Sequence, residues 1–254
     1  MVIKVKKLER RFFLVLLFLL IIFYKNYVFV EGTYYHINED YVTSTLSKYN
    51  LDEIDNLMIV AHPDDEMLWG GANLIQDRYL VVCVTCGQRY DRVLEFNSVM
   101  SEVDSPYIML NYPDLTNGKR DDWSTVYQDI ELDISKIVNF KDWDKIVTHN
   151  PEGEYGHQHH KMTDAIVTNE VVTKIAKSEK LYYFEKYYTK KQIESKNYCL
   201  PSISPELLER KKEILKIYKT QAKVVESFSH MIEHEALISY EDWNNYENNK
   251  ETSE

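Results

Sequence analysis

Five short apolar runs in the middle of the chain dominate its pattern of hydrophobic and polar positions. Each has the length of a β-strand and is nearly continuous in apolar residues: 57–61, 79–85, 107–110, 145–148 and 181–187. The stretches between them are compatible with helices: 67–76, 89–103, 124–140 and 160–178. Alternation of strands and helices predicts an α/β fold, and continuous apolar strands are typical of a sheet covered on both faces. We therefore expect a mainly parallel sheet in a Rossmann-like, three-layer α/β/α arrangement.

The sequence after the last apolar run is less regular. Pro201 and Pro205 precede a predicted helical segment, residues 206–227, which has one apolar face. Residues 233–254 are rich in Glu and Asn, and we expect them to form a peripheral or frayed tail. The pattern thus divides the chain into an N-terminal segment at 1–30, a connector at 31–54, a main domain at 55–230 and an acidic tail at 231–254.

The N-terminal segment resembles a membrane anchor. Residues 12–24 are thirteen uninterrupted apolar or aromatic residues, and five basic residues precede them: Lys4, Lys6, Lys7, Arg10 and Arg11. A membrane span needs about 20 residues, so a cleaved signal peptide is the alternative. No small-x-small cleavage site follows, and residues 27–30 extend the apolar length, which favours an uncleaved signal anchor. The positive-inside rule then predicts a single-pass membrane protein whose main domain is extracytoplasmic.

Charge and cysteine content narrow the possible partners. The formal net charge is −11, which argues against nucleic acid because that binding depends on cationic neutralisation of phosphates. The three cysteines, Cys83, Cys86 and Cys199, are an odd number and do not form a disulfide framework. Candidate chemistry must therefore come from the polar motifs that follow the strands.

The first motif, His62-Pro63-Asp64-Asp65-Glu66, directly follows the first apolar run. Across a tight turn, residues three apart can converge on one ion, so His62 and Asp65 could chelate a metal together. Asp64 would then point elsewhere, as a general base beside a metal-activated water does. The alternative is that Asp64 and Asp65 only cap the helix that follows, since acidic residues favour a helix N-terminus.

The second motif follows the run at 145–148 and contains four histidines, His149, His157, His159 and His160. Two glycines and a proline make the first part a loop. His157 and His160 are three residues apart at the predicted start of a helix, so they share a face and could enter one site. We expect His149 to belong to a solvated polar loop and His159 to face away from the site.

The two motifs together resemble the N-acetylglucosaminylphosphatidylinositol de-N-acetylase family, also called PIG-L or LmbE-like. The resemblance rests on Ala61 to Glu66 and on Gly-Glu-Tyr-Gly-His-x-x-His at 153–160, and it covers about residues 55–225. It implies that Zn²⁺, or another divalent transition metal, is held by His62, Asp65 and His160. It further implies Asp64 as general base, and His157 as the group that stabilises the oxyanion or protonates the leaving amine.

Shorter matches extend the resemblance to the substrate side. Tyr155 corresponds to a tyrosine that lines the family's pocket, Arg92-x-x-Glu95 resembles a family helix, and Tyr112-Pro113-Asp114 resembles a family loop. The resemblance thus implies substrate contacts for Arg92, Asp114 and Tyr155. The chain departs from the family at Thr85-Cys86-Gly87, where Thr-Asn-Gly or a similar sequence is usual, which leaves the substrate contacts of that loop open.

The expected function is that of a membrane-anchored, zinc-dependent N-deacetylase. Its substrate would be an N-acetylglucosamine-type sugar on a lipid-linked or envelope glycoconjugate, with the membrane bound through the N-terminal helix. The alternative is a non-catalytic membrane protein that binds metal or sugar. Asp64 argues for the enzyme, since this carboxylate has no ligand duty in the implied metal site.

Overall fold

A computed structural model of the chain describes residues 15–19, 39–195 and 200–251. The main sheet has six strands: β1 Asn56–Val60, β2 Tyr79–Thr85, β3 Tyr107–Tyr112, β6 Lys145–Thr148, β7 Leu181–Phe184 and β8 Leu237–Ser239. Their spatial order is β3-β2-β1-β6-β7-β8. The first five are parallel to one another, and β8 pairs antiparallel with β7. A separate hairpin consists of β4 Leu115–Thr116 and β5 Lys119–Arg120.

Helices cover both faces of this sheet. They are α1 Glu39–Leu46, α2 Asp65–Gln76, α3 Tyr90–Glu102, α4 Tyr127–Val138, α5 Gln158–Thr168, α6 Lys190–Glu194, α7 Pro205–Leu215, α8 Ala222–Ser227 and α9 Tyr240–Glu251. A π-helical stretch, Asn169–Lys174, continues α5. Residues 15–19 are also helical. The prediction of a mainly parallel α/β sheet with flanking helices is confirmed.

The alternation of side chains along the strands explains the three layers. In β1, Leu57 and Ile59 belong to a core cluster with residues of α1, α4 and α5, whereas Met58 and Val60 belong to a second cluster with residues of α2, α3 and α7. All four side chains are fully buried. A strand whose successive side chains enter two different cores must be apolar throughout, which is why it appears in the sequence as a continuous run.

The strand order positions the site. From β1 the chain moves to β2 and β3 on one side, and β6 and β7 lie on the other. Loops that leave the carboxyl ends of β1 and β6 therefore diverge and open a crevice between them, where ligands bind in open α/β sheets. The two polar motifs begin at these two ends.

The membrane anchor predicted for residues 12–24 is not supported. Across the described ranges 15–19, 39–195 and 200–251, no helix is long and apolar enough to cross a bilayer. Apart from residues 15–19, the predicted anchor lies outside the described residues. We therefore correct the prediction of a single-pass protein with an extracytoplasmic domain.

The C-terminal segment is also more ordered than its composition suggests. Instead of fraying after residue 233, the chain adds β8 to the edge of the sheet and then forms α9, in which Trp243 is 3% exposed. Glu235 is buried and accepts hydrogen bonds from the backbone N–H groups of Ala72 and Asn73 in α2. Lys211 Nζ of α7 donates to Glu235 Oε2 over 2.7 Å. This segment thus packs as part of the domain.

Candidate metal centre

The first motif forms a strained turn between β1 and α2. Asp64 has φ 116° and ψ −30°, a backbone conformation that costs a non-glycine residue about 1–3 kcal/mol. Two contacts hold it there: Arg92 Nη2 donates to the Pro63 carbonyl, and Asp64 N donates to Glu66 Oε2 over 3.0 Å. The Asp64 side chain makes no capping hydrogen bond to α2, so the alternative of a simple helix cap is not observed.

The side chain of Asp64 is nevertheless fixed and buried. Arg92 Nη2 lies 3.4 Å from Asp64 Oδ1, and both side chains are almost inaccessible. Burial, together with the neighbouring Asp65 carboxylate, raises the pKa of Asp64 well above its ordinary value. Arg92, predicted to contact substrate, is 5% exposed and directs its contacts to this turn. Glu66, in turn, accepts a hydrogen bond from Tyr218.

Asp65 lies between two histidines, one from each motif. Its Oδ2 atom is 3.1 Å from His62 Nδ1 and 3.2 Å from His160 Nε2. Ligands about 2.0–2.1 Å from a tetrahedral zinc ion are roughly 3.3 Å apart, so each of these two separations from Asp65 is compatible with a shared ion. Despite this proximity, the buried Nε2 of His160 makes no hydrogen bond within the described part of the chain. A nitrogen that ligates a metal ion would likewise make none. The three residues that the sequence predicted as ligands are thus brought together.

A buried carboxylate behind His160 completes the arrangement. Glu154 Oε2 accepts hydrogen bonds from Nδ1 of His160 and from Nδ1 of His149, the latter over 3.0 Å. His149 Nε2 accepts from the Ala61 backbone N–H over 2.9 Å, so its proton must be on Nδ1. A carboxylate that receives the Nδ1 proton of His160 leaves the Nε2 lone pair for a metal ion, as in many histidine metal sites.

The electrostatics at this point favour a cation. Burial alone would lower the pKa of His160, but the carboxylates of Asp65 and Glu154 outweigh it and raise that pKa to about 10. Burial would raise the pKa of Glu154, yet His149 and His160 bring it to about 2. A metal ion or an imidazolium can supply the positive charge, and the donor set of two imidazoles and a carboxylate fits zinc.

His157 and Tyr155 lie on the solvent side of this cluster. Nitrogens of His62, His157 and His160 fall within 4.8 Å of one another. Burial and the nearby rings of His160 and His62 lower the pKa of His157 to about 2, so this imidazole is neutral. Tyr155 is 41% exposed, and its ring centre is 5.7 Å from that of His157. It is therefore the predicted site residue most accessible to a substrate.

A third group of polar side chains adjoins His62 from the opposite side. Asp114 Oδ1 is 3.4 Å from His62 Nε2, and His159 Nδ1 is 3.1 Å from the same nitrogen. Asp114 also pairs with Arg120 of the β4–β5 hairpin. His62, Asp114 and His159 form a second set of possible ligand atoms within 4.8 Å of one another, and Asp65, His149 and His160 form a third. None of these three groups of described residues contains His62, Asp65 and His160 together, so that ligand set stays a prediction.

Two expectations about the second motif are wrong. His149 and His159 are both fully buried, whereas we expected one to be solvated and the other to face away. Their position offered a signal, because His149 directly follows β6 just as the first motif follows β1. Glu154 was not singled out at all. The loop gives no regular periodicity that could reveal it, since Gly153, Glu154 and Gly156 all have positive φ.

Comparison with known proteins agrees with this geometry. The model of the family PIG-L, described as GlcNAc-PI de-N-acetylase, matches residues 57–171, which carry both motifs. This part of the chain is therefore similar to a PIG-L domain. The resemblance seen in the sequence is thereby confirmed.

Other similar proteins match more of the chain. Uncharacterized protein L374 of Acanthamoeba polyphaga mimivirus is 26% identical over 214 residues, which is 78% of this chain and 85% of that protein. Among solved structures, the A40926 pseudoaglycone deacetylase Dbv21 superimposes with a TM-score of 0.52 at 19% identity, over 69% of this chain and 85% of that one. A deacetylase of the teicoplanin biosynthesis pathway gives 0.51 at 18% identity, over 67% and 86%. At these identities the two structures support the fold alone.

Proposed function

We propose that this protein is a metal-dependent hydrolase that removes the N-acetyl group from an amino sugar, with N-acetylglucosamine as the first candidate. The observation that carries the proposal is the position of Asp65 Oδ2, 3.1 Å from His62 Nδ1 and 3.2 Å from His160 Nε2, with Asp64 beside it. The PIG-L domain supports a deacetylase, because the matching family model is that of a de-N-acetylase. The sugar is inferred from the same description.

In this proposal His62, Asp65 and His160 hold the metal ion, and Zn²⁺ fits them. A bound zinc ion supplies a Lewis acid that activates water and polarises the amide carbonyl. Glu154 keeps His160 in the tautomer that presents Nε2. Arg92 holds the turn that carries Asp64, and we assign it this positioning role because it is buried away from solvent.

Asp64 then accepts the proton of the attacking water. Burial raises the pKa of Asp64, which makes the carboxylate a stronger base, and the side chain is not occupied by a capping hydrogen bond. His157, neutral and within the cluster, donates its ring N–H to the oxyanion that develops on the acetyl carbonyl. The proton held by Asp64 passes to the leaving nitrogen, so the products are acetate and the free amine.

The substrate enters past Tyr155, the exposed residue of the set. Asp114, with 18% of its side chain exposed, lies between His62 and Arg120 and offers its carboxylate to a sugar hydroxyl. Asp114 contacts His62, whereas the ring of Tyr155 contacts those of His157 and His160. In this proposal both residues contact the sugar, whose acetamido group is directed to the histidine cluster.

The test compares N-acetylglucosaminides with their N-acetylgalactosamine counterparts, and measures free amine and acetate together. Purified protein should release both in equal amounts, lose this activity with a chelator and regain it with zinc. Asp64→Asn should keep its metal yet lose about 10²- to 10⁴-fold in turnover, the usual contribution of a general base. If Asp64→Asn turns over at the wild-type rate, Asp64 is not the base. If the fully metal-loaded protein releases no amine from either sugar, the deacetylase proposal itself fails.

A further inference from the structure

We infer that His159 is a positioning residue that fixes the tautomer and ring orientation of His62, so that His62 presents Nδ1 to the metal ion. The inference rests on the proposed metal set. His159 was predicted to face away from the site, and its role also assigns a purpose to the segment between β3 and α4.

The hydrogen bonds of His159 settle which of its nitrogens carries the proton. His159 Nε2 lies 2.8 Å from the backbone carbonyl oxygen of Asp121. A carbonyl oxygen can only accept, so Nε2 is the donor, and Nδ1 of the neutral ring is left as an acceptor. That acceptor lies 3.1 Å from His62 Nε2.

The same reasoning then applies to His62. Its Nε2 faces the acceptor nitrogen of His159 and, at 3.4 Å, the Asp114 carboxylate, which can also only accept. Its Nε2 must therefore carry the proton, and a neutral imidazole has only one. The lone pair is then on Nδ1, the atom that lies 3.1 Å from Asp65 Oδ2. A metal-ligating histidine usually donates its second nitrogen in this way.

His159 is itself held firmly enough to perform this role. Its ring stacks on Trp123, with centroids 4.2 Å apart and planes inclined by 11°, and both residues are fully buried. Trp123 Nε1 donates to the Pro113 carbonyl over 2.7 Å, and Trp123 N donates to Asp121 Oδ1 over 2.7 Å. The segment between β5 and α4 thus supplies both the stacking partner and the carbonyl that orients His159.

Asp114 is the competing partner for His62 Nε2. It is farther away than His159, 3.4 Å against 3.1 Å, and its carboxylate is also engaged by Arg120. A second competing explanation is that His62, Asp114 and His159 themselves hold a cation. That would require His62 to give up its Nε2 proton as well, and it predicts a second equivalent of bound metal.

The test uses two amides that differ by one methylene. Asn at position 159 places its oxygen where Nδ1 of histidine lies, whereas Gln places its amide near Nε2 and leaves no acceptor for His62. His159→Gln should therefore weaken zinc binding by about 10–100-fold, the range for partners of ligating histidines. His159→Asn should stay within a few-fold of wild type. Zinc affinity is measured by competition with a chromophoric chelator. Spectra of the Co²⁺-substituted protein report changes in the ligand field of the metal ion, to which His62 contributes.

A third variant separates hydrogen bonding from packing. His159→Phe keeps a ring on Trp123 but has no acceptor, so it should bind zinc as weakly as the Gln variant and show the same change in the Co²⁺ spectrum. Circular dichroism and urea denaturation confirm that each variant is folded.

The inference is overturned if the Asn and Gln variants bind zinc equally, if Phe binds as tightly as wild type, or if the variants lose a whole second equivalent of metal. Absence of zinc binding by the wild-type protein would instead overturn the proposed metal site, and the inference with it.

Discussion

Replacement of Glu154 by Gln probes the buried carboxylate behind the predicted ligand His160. Glu154 Oε2 accepts from both His149 and His160, while Oε1 accepts from the backbone N–H of Asn150 over 3.1 Å. An amide has only one oxygen. Whichever way it is turned, its NH₂ group meets at least one buried N–H that previously had an acceptor.

The size of the effect follows from these contacts. A buried donor left without its acceptor costs about 1–3 kcal/mol, and this should appear as a loss in the free energy of unfolding. A neutral amide also orients His160 less strongly than a carboxylate does. Loss of such a partner lowers metal affinity by about 10–100-fold, which is about 1.4–2.8 kcal/mol of binding free energy.

The assay measures zinc affinity by chelator competition and stability by urea denaturation on the same preparations. Glu152→Gln is the matched control, because Glu152 lies in the same loop but is exposed and pairs only loosely with Lys186, at 3.7 Å. We expect that control to bind zinc like the wild type. A zinc affinity of Glu154→Gln within twofold of this control would refute the role that we assign to Glu154.

Three further substitutions test the ligand set and the C-terminal packing. His160→Ala should abolish stoichiometric zinc, measured by elemental analysis; unchanged zinc would remove His160 from the ligand set. Lys211→Met should lower the free energy of unfolding by about 3–5 kcal/mol, because it leaves the buried Glu235 carboxylate without its cationic partner. Lys212 is exposed, so the control Lys212→Met should change the free energy of unfolding by under about 0.5 kcal/mol. Equal effects of the two substitutions would refute this prediction. Trp243→Ala should cost about 3–5 kcal/mol in urea denaturation, whereas a frayed tail would cost nothing.

The parallel sheet was predictable because its strands are buried on both faces. Each of the five predicted runs contains a strand, although the last run is shorter than expected and ends at Phe184. The position of the site was also predictable, since His62 and His149 each directly follow a strand and β1 lies next to β6. Adjacent parallel strands bring the residues that follow them to the same edge of the sheet, whatever the conformation of the loops.

The interior of the site was harder to predict, for two physical reasons. Helical periodicity does not apply to the loop before α5, where Glu154 has φ 51°, so spacing could not show that Glu154 faces inward. The burial of His159 depends on a stacking partner, Trp123, that lies in the separate segment between β5 and α4. Likewise, β8 has only three residues and gains its stability from pairing with β7, which local composition does not report.

The contacts of Tyr218, Lys211 and Glu235 bear on how this protein could be recombined with its relatives. All three lie beyond residue 171, yet Tyr218 donates to Glu66 just after the turn that follows β1, and Lys211 donates to the Leu68 carbonyl in the same helix, α2. The end of the family match at residue 171 is therefore not the end of the cooperatively folded domain. A chimera joined at residue 171 would separate the proposed base from its support, so residues 39–251, which include the core helices α1 and α9, are the unit to exchange.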